Sequence, residues 1–592
     1  MLGIRRQLLL KASMRIRQVK IENFRGVKYT SLLLANHGVL VGDNNVGKST
    51  VLEAIDLVLG PERLSRQSAI DEHDFYAGVY LDEHKVPVLI NVEVILTDLS
   101  AEQKRRFVSH LEYWDSTTNQ LIEGPPEAID GQSVVAALRI GLKAGYDADE
   151  DNFDARTSFM WPIGENGELD PFRTQDKRQC GFLFLRTLRT GSRALSLERG
   201  SLLDILLRLM GKRLDMWEGL LNQLRQLQIG EVGNTAVVDV LNQIQASIRK
   251  FVPAEWSANP QLRVSELTRE TLRKVLSVFI ETGTINGAGE PFSAPFHHQG
   301  TGTLNMLVLA LLSMIAEAKK DVIFAMEEPE IAIPPHTQRR VVSAIRKMSS
   351  QSLFTSHSPY VLEEFDRGEI VILRRNDGMM TQSTAALPST VKLKAYRSEL
   401  RMRFCECLLA RRVLIVEGRT EYDAMTACAR TLHEHAATTY TTLEAQGIAV
   451  IDAQGDNQVA PLGRFFKDMG KDVYAVFDKQ TPDNLAFIKA EIDHAFESPY
   501  NSFEKLIVEE VDIAALRRHG ISLVSDNEWP ASLDRIKPAP EMSDAALKDS
   551  MYKYLEQGKG AGYAALLLSS CAPDEVPRFI TDSLLKIQST TI

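Results

Sequence analysis

Long apolar runs, paired cysteines and an excess of positive charge are all missing from this 592-residue chain. No stretch stays apolar long enough to span a bilayer, so no membrane partner is expected. The five cysteines (Cys180, Cys405, Cys407, Cys428 and Cys571) form no C-x-x-C pair, which argues against a zinc site or a disulfide framework and points to the cytoplasm. A formal net charge of -10 argues against a generally adhesive polyanion binder. A local basic groove stays compatible with it, because fields decay within a Debye length of about 8–10 Å. The opening Met1–Leu10 is basic then apolar, too short for a secretory leader and followed by no cleavage site, so residues 1–13 read as a flexible extension. Long heptad repeats are also missing, which excludes extended coiled-coil arms.

What is present begins with Val39-Leu40-Val41-Gly42-Asp43-Asn44-Asn45-Val46-Gly47-Lys48-Ser49-Thr50. A β-branched run ends in glycine, and G-x-x-x-x-G-K-S opens into a helical pattern, the strand–loop–helix context that a P-loop requires. Gly42, Asn45 and Gly47 would let backbone N–H groups turn inward around phosphates, with the positive end of the helix behind them. Lys48 would reach the β/γ-phosphates, Ser49 would ligate Mg²⁺, and Thr50 would complete the loop. ATP is therefore the expected cofactor.

Further along, alternating residues 14–26 and 27–34 predict two strands before the P-loop, and 86–96 another. The span 101–181 shows no legible order. Phe182–Leu185 reads as a buried strand, and residues 201–250 turn to helical spacing. That insertion, about 195–255, is either a cap on the core or a dimerisation surface. A strand is expected at 272–282. Gly300 and Gly302 precede an apolar helix, 306–315. The strand 321–326 delivers Glu327 and Glu328 at its carboxyl end, where Glu327 would hold Mg²⁺ through water and Glu328 would orient the attacking water. His357 follows a further strand and would contact the γ-phosphate. P-loop, glycine pair, Glu-Glu and histidine in this order resemble an ABC-type ATPase head. The resemblance implies a composite ATP site, hence a homodimer or homotetramer.

From Ser398 the chain restarts as an independent α/β unit, after a basic junction from Lys392 to Arg412 that reads as a solvated face. Three apolar strands end in Glu417, Asp452 and Asp478, with helical segments between them. Such βαβ units build a parallel sheet whose carboxyl edge collects all three acids, and Glu421 lies one helical turn beyond Glu417. Crowded carboxylates at ~4 Å repel by about 4 kcal/mol per pair at intermediate dielectric, which divalent hard cations relieve. Oxygen-only ligands favour Mg²⁺ or Mn²⁺ over Zn²⁺.

The layout L-I-V-E-G-x-x-E, then I-D, then F-D resembles the Toprim domain. That family's Asp-x-Asp reads Asp478-Lys479-Gln480 here, so a substitute acid is needed, among which Glu504 leads Asp456, Asp483, Glu509 and Glu510. The resulting fold class is α/β: an ABC-type P-loop head with a helical insertion (14–397), then a Toprim domain with a C-terminal extension (398–592). The pair resembles the OLD (overcoming lysogenization defect) family of ATP-dependent endonucleases, which includes the nuclease subunit of the Gabija antiphage system. The resemblance implies a Mg²⁺-dependent DNA endonuclease, a catalytic C-terminal lysine (Lys559 ahead of Lys553), and a helicase-like or other defence partner. Two alternatives stay open: a degenerate Toprim domain serving as a DNA-binding or assembly module, and RNA as substrate.

Overall fold

The computed structural model describes residues 14–61, 63–64, 69–122, 133–185, 195–198, 201–226, 235–251, 268–318, 322–331, 334–384 and 401–590. The N-terminal extension and the basic residues Lys392, Lys394 and Arg397 lie outside them. By contact density the chain divides into two compact units, residues 1–25 with 51–354 and residues 26–50 with 355–592.

In the first unit, Arg15–Phe24 pairs antiparallel with Ile90–Thr97, Val19 facing Val94 and Ile21 facing Val92. Ile90–Thr97 in turn pairs with the long strand Val134–Asp147, which also carries Leu111–Asp115 and Asn152–Ile163. The span that showed no order in sequence is therefore part of an antiparallel sheet. Around the long, centrally buried strand Val134–Asp147 its other strands are short or half-exposed, and two aromatic clusters pin it, Phe75, Tyr80, Tyr146 and Phe153 in one and Phe107, Phe159 and Phe172 in the other. Phe182–Leu185 runs parallel to Ile323–Glu327, which is buried along its whole length. The helical spacing of 201–250 becomes Leu202–Leu209, Arg213–Gln226 and Thr235–Ile248. The strand expected at 272–282 is corrected: Arg269–Val275 is helical, and the strand is Phe279–Ile285. Thr268 caps that helix, its hydroxyl accepting from Thr271 N–H, and a side-chain cap of this kind starts a helix that β-branched residues nearby would otherwise disfavour. The apolar helix is longer than expected, Thr301–Ala318, so Gly302 sits in its first turn rather than before it.

In the second unit the P-loop strand His37–Val41 is parallel to Ile370–Asn376, Val41 facing Ile372. After Arg401 a four-stranded, all-parallel sheet forms in the spatial order Ile448–Asp452, Arg412–Val416, Asp472–Phe477, His494–Glu497. The helices Arg419–His435, Asp456–Asp468 and Pro482–Glu491 make the crossovers. Both faces of such a sheet are covered, so its strands read as continuous apolar runs; Val413, Leu414, Ile415 and Val416 have no exposed surface. Five further helices, from Phe503–Glu510 to Arg578–Ser589, pack their leucines and isoleucines into the same core. No helix among the described residues is long and apolar enough to cross a membrane.

Candidate active sites

The P-loop has the backbone its function needs. Gly42, Asn45 and Gly47 all have positive φ (149°, 66° and 111°). A Cβ on Gly42 would stand 2.6 Å from the Leu373 carbonyl oxygen, and one on Gly47 2.5 Å from Met380 Cε, so only glycine fits either position. Lys48 is buried and donates to the Gly42 and Asp43 carbonyls at 2.8 and 2.9 Å. Ser49, at the start of the helix Lys48–Leu59, is exposed, as is His357 in the same unit. In the other unit Glu327 ends its buried strand, and Glu328 follows with φ 45°. A bulky non-glycine residue in the left-handed region costs on the order of 1 kcal/mol or more and persists where the surroundings impose it, commonly at functional sites. Gly300 is exposed immediately before Thr301–Ala318.

At the carboxyl edge of the parallel sheet four of the predicted acids meet. Glu417 follows Val416, and its Oε2 accepts from Asp478 N–H at 3.1 Å. Glu421 lies in the first turn of Arg419–His435 and is buried, as is Glu504 in the first turn of Phe503–Glu510. Asp478 is 9% exposed, and its Oδ1 and Glu504 Oε1 are buried without a hydrogen-bond partner among the described residues. Lys559 Nζ stands 3.6 Å from Glu504 Oε2. Its loop is tied down where Gly560 N–H donates to the Thr420 hydroxyl at 3.3 Å.

These neighbours raise one another's proton affinity. Asp478 is pushed up to about 8, first by burial and then by Glu421, Glu417 and Glu504. Glu421 is pushed up to about 7, again by burial first, then by Glu504 and Glu417. Glu417 is also raised, chiefly by burial. Burial disfavours the Lys559 ammonium, but Glu504, Glu421 and Asp478 outweigh it and raise its pKa. Among the described residues, no three acidic, histidine or cysteine side chains already form a metal cage. The donor set nevertheless suits a hard divalent cation: it is all oxygen, it is crowded with like charge, and two buried carboxylate oxygens lack partners.

Asp452 stands apart from this cluster. It ends the neighbouring strand in register with Val416, but its Oδ2 accepts from Arg403 Nη1 at 2.8 Å. The Arg403 guanidinium also lies 3.9 Å from the centre of the Tyr422 ring. Burial pushes the Asp452 carboxyl up, while Arg419 acts against it. Arg403 is thus no solvated linker residue, and neither is Arg412, which reaches Asp472 at 3.4 Å; both correct the reading of the junction as a solvated face. Only the fold could reveal this, since the two partners are 49 residues apart. Replacing Arg403 by Ala is expected to destabilise the protein by about 1–3 kcal/mol, the penalty of a buried group left unpaired. Urea melts of Arg403→Ala, Asp452→Ala and the double variant check this; strictly additive losses would mean the two are not coupled.

Gln480, which replaces the family's second acid, is also built into the site. Its Nε2 donates to the Asp478 carbonyl at 3.0 Å and reaches Glu417 Oε2 at 3.4 Å, while Asn484 Nδ2 donates to its Oε1 at 2.7 Å. Its backbone N–H donates to Glu497 Oε1 at 2.9 Å. An amide here orients Glu417 instead of adding a charge.

A family model described as "AAA ATPase domain" matches residues 14–112 and 217–362, spanning the P-loop and the Glu327-Glu328 strand. A second, "Overcoming lysogenization defect protein-like, TOPRIM domain", matches residues 408–479, the stretch that carries Glu417, Glu421, Asp452 and Asp478. The chain carries an AAA ATPase domain followed by an OLD-like TOPRIM domain. Its similarity to Endonuclease GajA of Bacillus cereus is 23% identity over 69% of this chain and 66% of that protein. To the Old nuclease of Escherichia phage P2 it is 22% identical over 77% and 76% of the two lengths. To the OLD nuclease of Thermus scotoductus it is 23% identical over 68% and 71%. This chain therefore joins a nucleotide-using ATPase domain to a TOPRIM domain, a type that works with divalent metal.

The raised acids carry a pH prediction. Asp478 loses its proton near 3.8 when unfolded and near 8 when folded. The stability it contributes is complete below about pH 4 and is lost as pH rises through about 8. The metal-free protein should therefore melt at lower temperature at about pH 8.5 than at about pH 6, with Mg²⁺ raising the melting point more at the higher pH, where protons no longer compete. Thermal melts with EDTA or Mg²⁺ check both signs.

Proposed function

We propose that this chain is an ATP-dependent DNA endonuclease with Mg²⁺ as its metal, Mn²⁺ substituting, acting as a homodimer or homotetramer in antiphage defence or DNA processing. The observation that carries the reading is the meeting of Glu417, Glu421, Asp478 and Glu504 with Lys559 at the carboxyl edge of a parallel sheet. A bound divalent metal supplies Lewis-acid polarisation of the phosphodiester and a lowered pKa for the attacking water.

The chain's own residues do the rest. Glu417 and Asp478 would hold one ion, Gln480 keeping Glu417 turned inward. Glu421 and Glu504 would hold the other. Asp452 takes part in the second position only if it lets go of Arg403. Lys559, half-exposed beside Glu504, would place positive charge on the phosphate oxygens as negative charge builds up in the transition state. In the ATPase portion Lys48 and Ser49 would grip the phosphates and their Mg²⁺. Glu327 would hold that ion through water, and Glu328, in its imposed conformation, would orient the hydrolytic water. Residues 14–397 and 398–592 are proposed as the working domains, the first regulating cleavage by the second.

The test is cleavage of supercoiled plasmid by the full chain with Mg²⁺ or Mn²⁺, with and without ATP, beside a matched RNA. Metal-dependent nicking or linearisation of the DNA is expected. No cutting with either metal, while ATP hydrolysis persists, would favour the assembly-module reading.

A further inference from the structure

An amide such as Gln480 supports a neighbouring carboxylate only if its –NH₂ end is the one turned toward it, and a backbone group fixes which end that is. Gln480 Nε2 lies 3.0 Å from the Asp478 carbonyl oxygen. A carbonyl can only accept, so this end of the amide has to be the donor. Its Oε1 then faces Asn484 Nδ2 at 2.7 Å, a contact in which Asn484 has to present its own –NH₂. The Gln480 backbone is pinned as well, its N–H donating to Glu497 Oε1 at 2.9 Å. Asn484 itself sits in the first turn of Pro482–Glu491, its N–H donating to the capping Thr481 hydroxyl at 3.4 Å.

The consequence falls on Glu417. With the Gln480 –NH₂ turned inward, Glu417 Oε2 takes two donors, Asp478 N–H at 3.1 Å and Gln480 Nε2 at 3.4 Å. A carboxylate oxygen has about two lone-pair positions, so Oε2 is fully used and Oε1 is left for a cation. Were the Gln480 amide turned over, its Oε1 would instead face the Asp478 carbonyl and Glu417 Oε2, three acceptors with no proton between them. The short bond from Asn484 is what holds the amide against that reversal.

We propose that Asn484 is a positioning residue of the nuclease site: by holding the Gln480 amide in one orientation it keeps Glu417 Oε2 occupied and makes Oε1 the single Glu417 oxygen offered to the metal. The proposal rests on the reading of the Glu417, Glu421, Asp478 and Glu504 cluster as a divalent-metal site.

The test is calorimetric titration of the full chain with Mn²⁺ alone, the site being the binding that Glu417→Ala removes. Asn484→Asp replaces the donor by an acceptor of the same shape, so Gln480 has to turn its amide over. Mn²⁺ binding is expected to weaken about tenfold or more, the scale of losing a group that orients a metal ligand. A carboxylate that was merely nearby would do the opposite, since added negative charge attracts a cation; the sign of the change decides. In a Gln480→Ala background Asn484→Asp should no longer weaken binding, because there is no amide left to turn. An Asp in the first turn suits the helix dipole, so the variant should fold, and a melt checks it. Should it not fold, Asn484→Ala, which removes the donor alone, carries the test with a smaller expected loss. Binding unchanged or tighter in a folded Asn484 variant, or weakened equally with and without Gln480, overturns the proposal and leaves the metal site standing. Mn²⁺ binding that Glu417→Ala does not diminish overturns the metal-site reading and the proposal with it.

Discussion

Replacing Glu417 by Ala is expected to drop metal-dependent DNA cleavage below detection, a loss of more than about 10³-fold, the scale seen when a preorganised electrostatic contact at a reacting centre is removed. ATP hydrolysis should stay measurable, because Glu417 belongs to the parallel sheet after Arg401 and not to the P-loop or the Glu327-Glu328 strand. The fold should survive as well. Glu417 accepts from Asp478 N–H and meets Gln480, but it also repels Glu421 and Asp478. Deleting one carboxylate from a like-charged group relieves its neighbours, so the metal-free variant should melt no lower than the parent. Plasmid cleavage, ATP turnover and a melt on the same preparation separate the outcomes. Surviving cleavage would sink the assignment.

Replacing Lys48 by Ala is the second large effect. Lys48 gives its charge to the Gly42 and Asp43 carbonyls, contacts it would exchange for phosphate oxygens. Two charge-assisted bonds are worth about 10²-fold or more in affinity, so calorimetry should show ATP binding weakened by at least that much. Glu328→Gln should instead keep ATP bound and stop its turnover, since the carboxylate acts on water and not on the phosphates. Comparing cleavage by the two variants gives the direction of control. Cutting that rises when ATP no longer binds means ATP restrains the nuclease, and cutting that falls means ATP drives it.

Much of this was legible in residue order. The P-loop announced itself because its chemistry is local: glycine where φ must be positive, lysine and serine at fixed offsets, all inside one strand–loop–helix. The parallel strands were equally plain, because burial on both faces removes polar residues from Val413–Val416 and Val473–Phe477. Two stretches failed for physical reasons. In the antiparallel stretch between 111 and 171 the outer strands are half-exposed and alternate weakly, while Val134–Asp147 is shared between Ile90–Thr97 and Asn152–Ile163, a pairing that no single stretch specifies. Arg269–Val275 is held helical by a cap, by packing of Leu272 on Trp217 and Leu221, and by its own helix-favouring Arg, Glu, Leu and Lys, and the strand-like run starts only after it.

By itself the sequence determined the chemical inventory: a phosphate-binding loop, a Glu-Glu pair after a buried strand, and a ladder of acids at strand ends. Only the tertiary structure decided which acids share a field. Glu504 comes in from a helix 26 residues past Asp478, and Lys559 from a glycine-rich loop further still, while Asp452, on the adjacent strand, is held by Arg403. The reason is that strand-end position is set by local pattern, whereas electrostatic partnership depends on distances of a few ångströms that only the packed chain specifies.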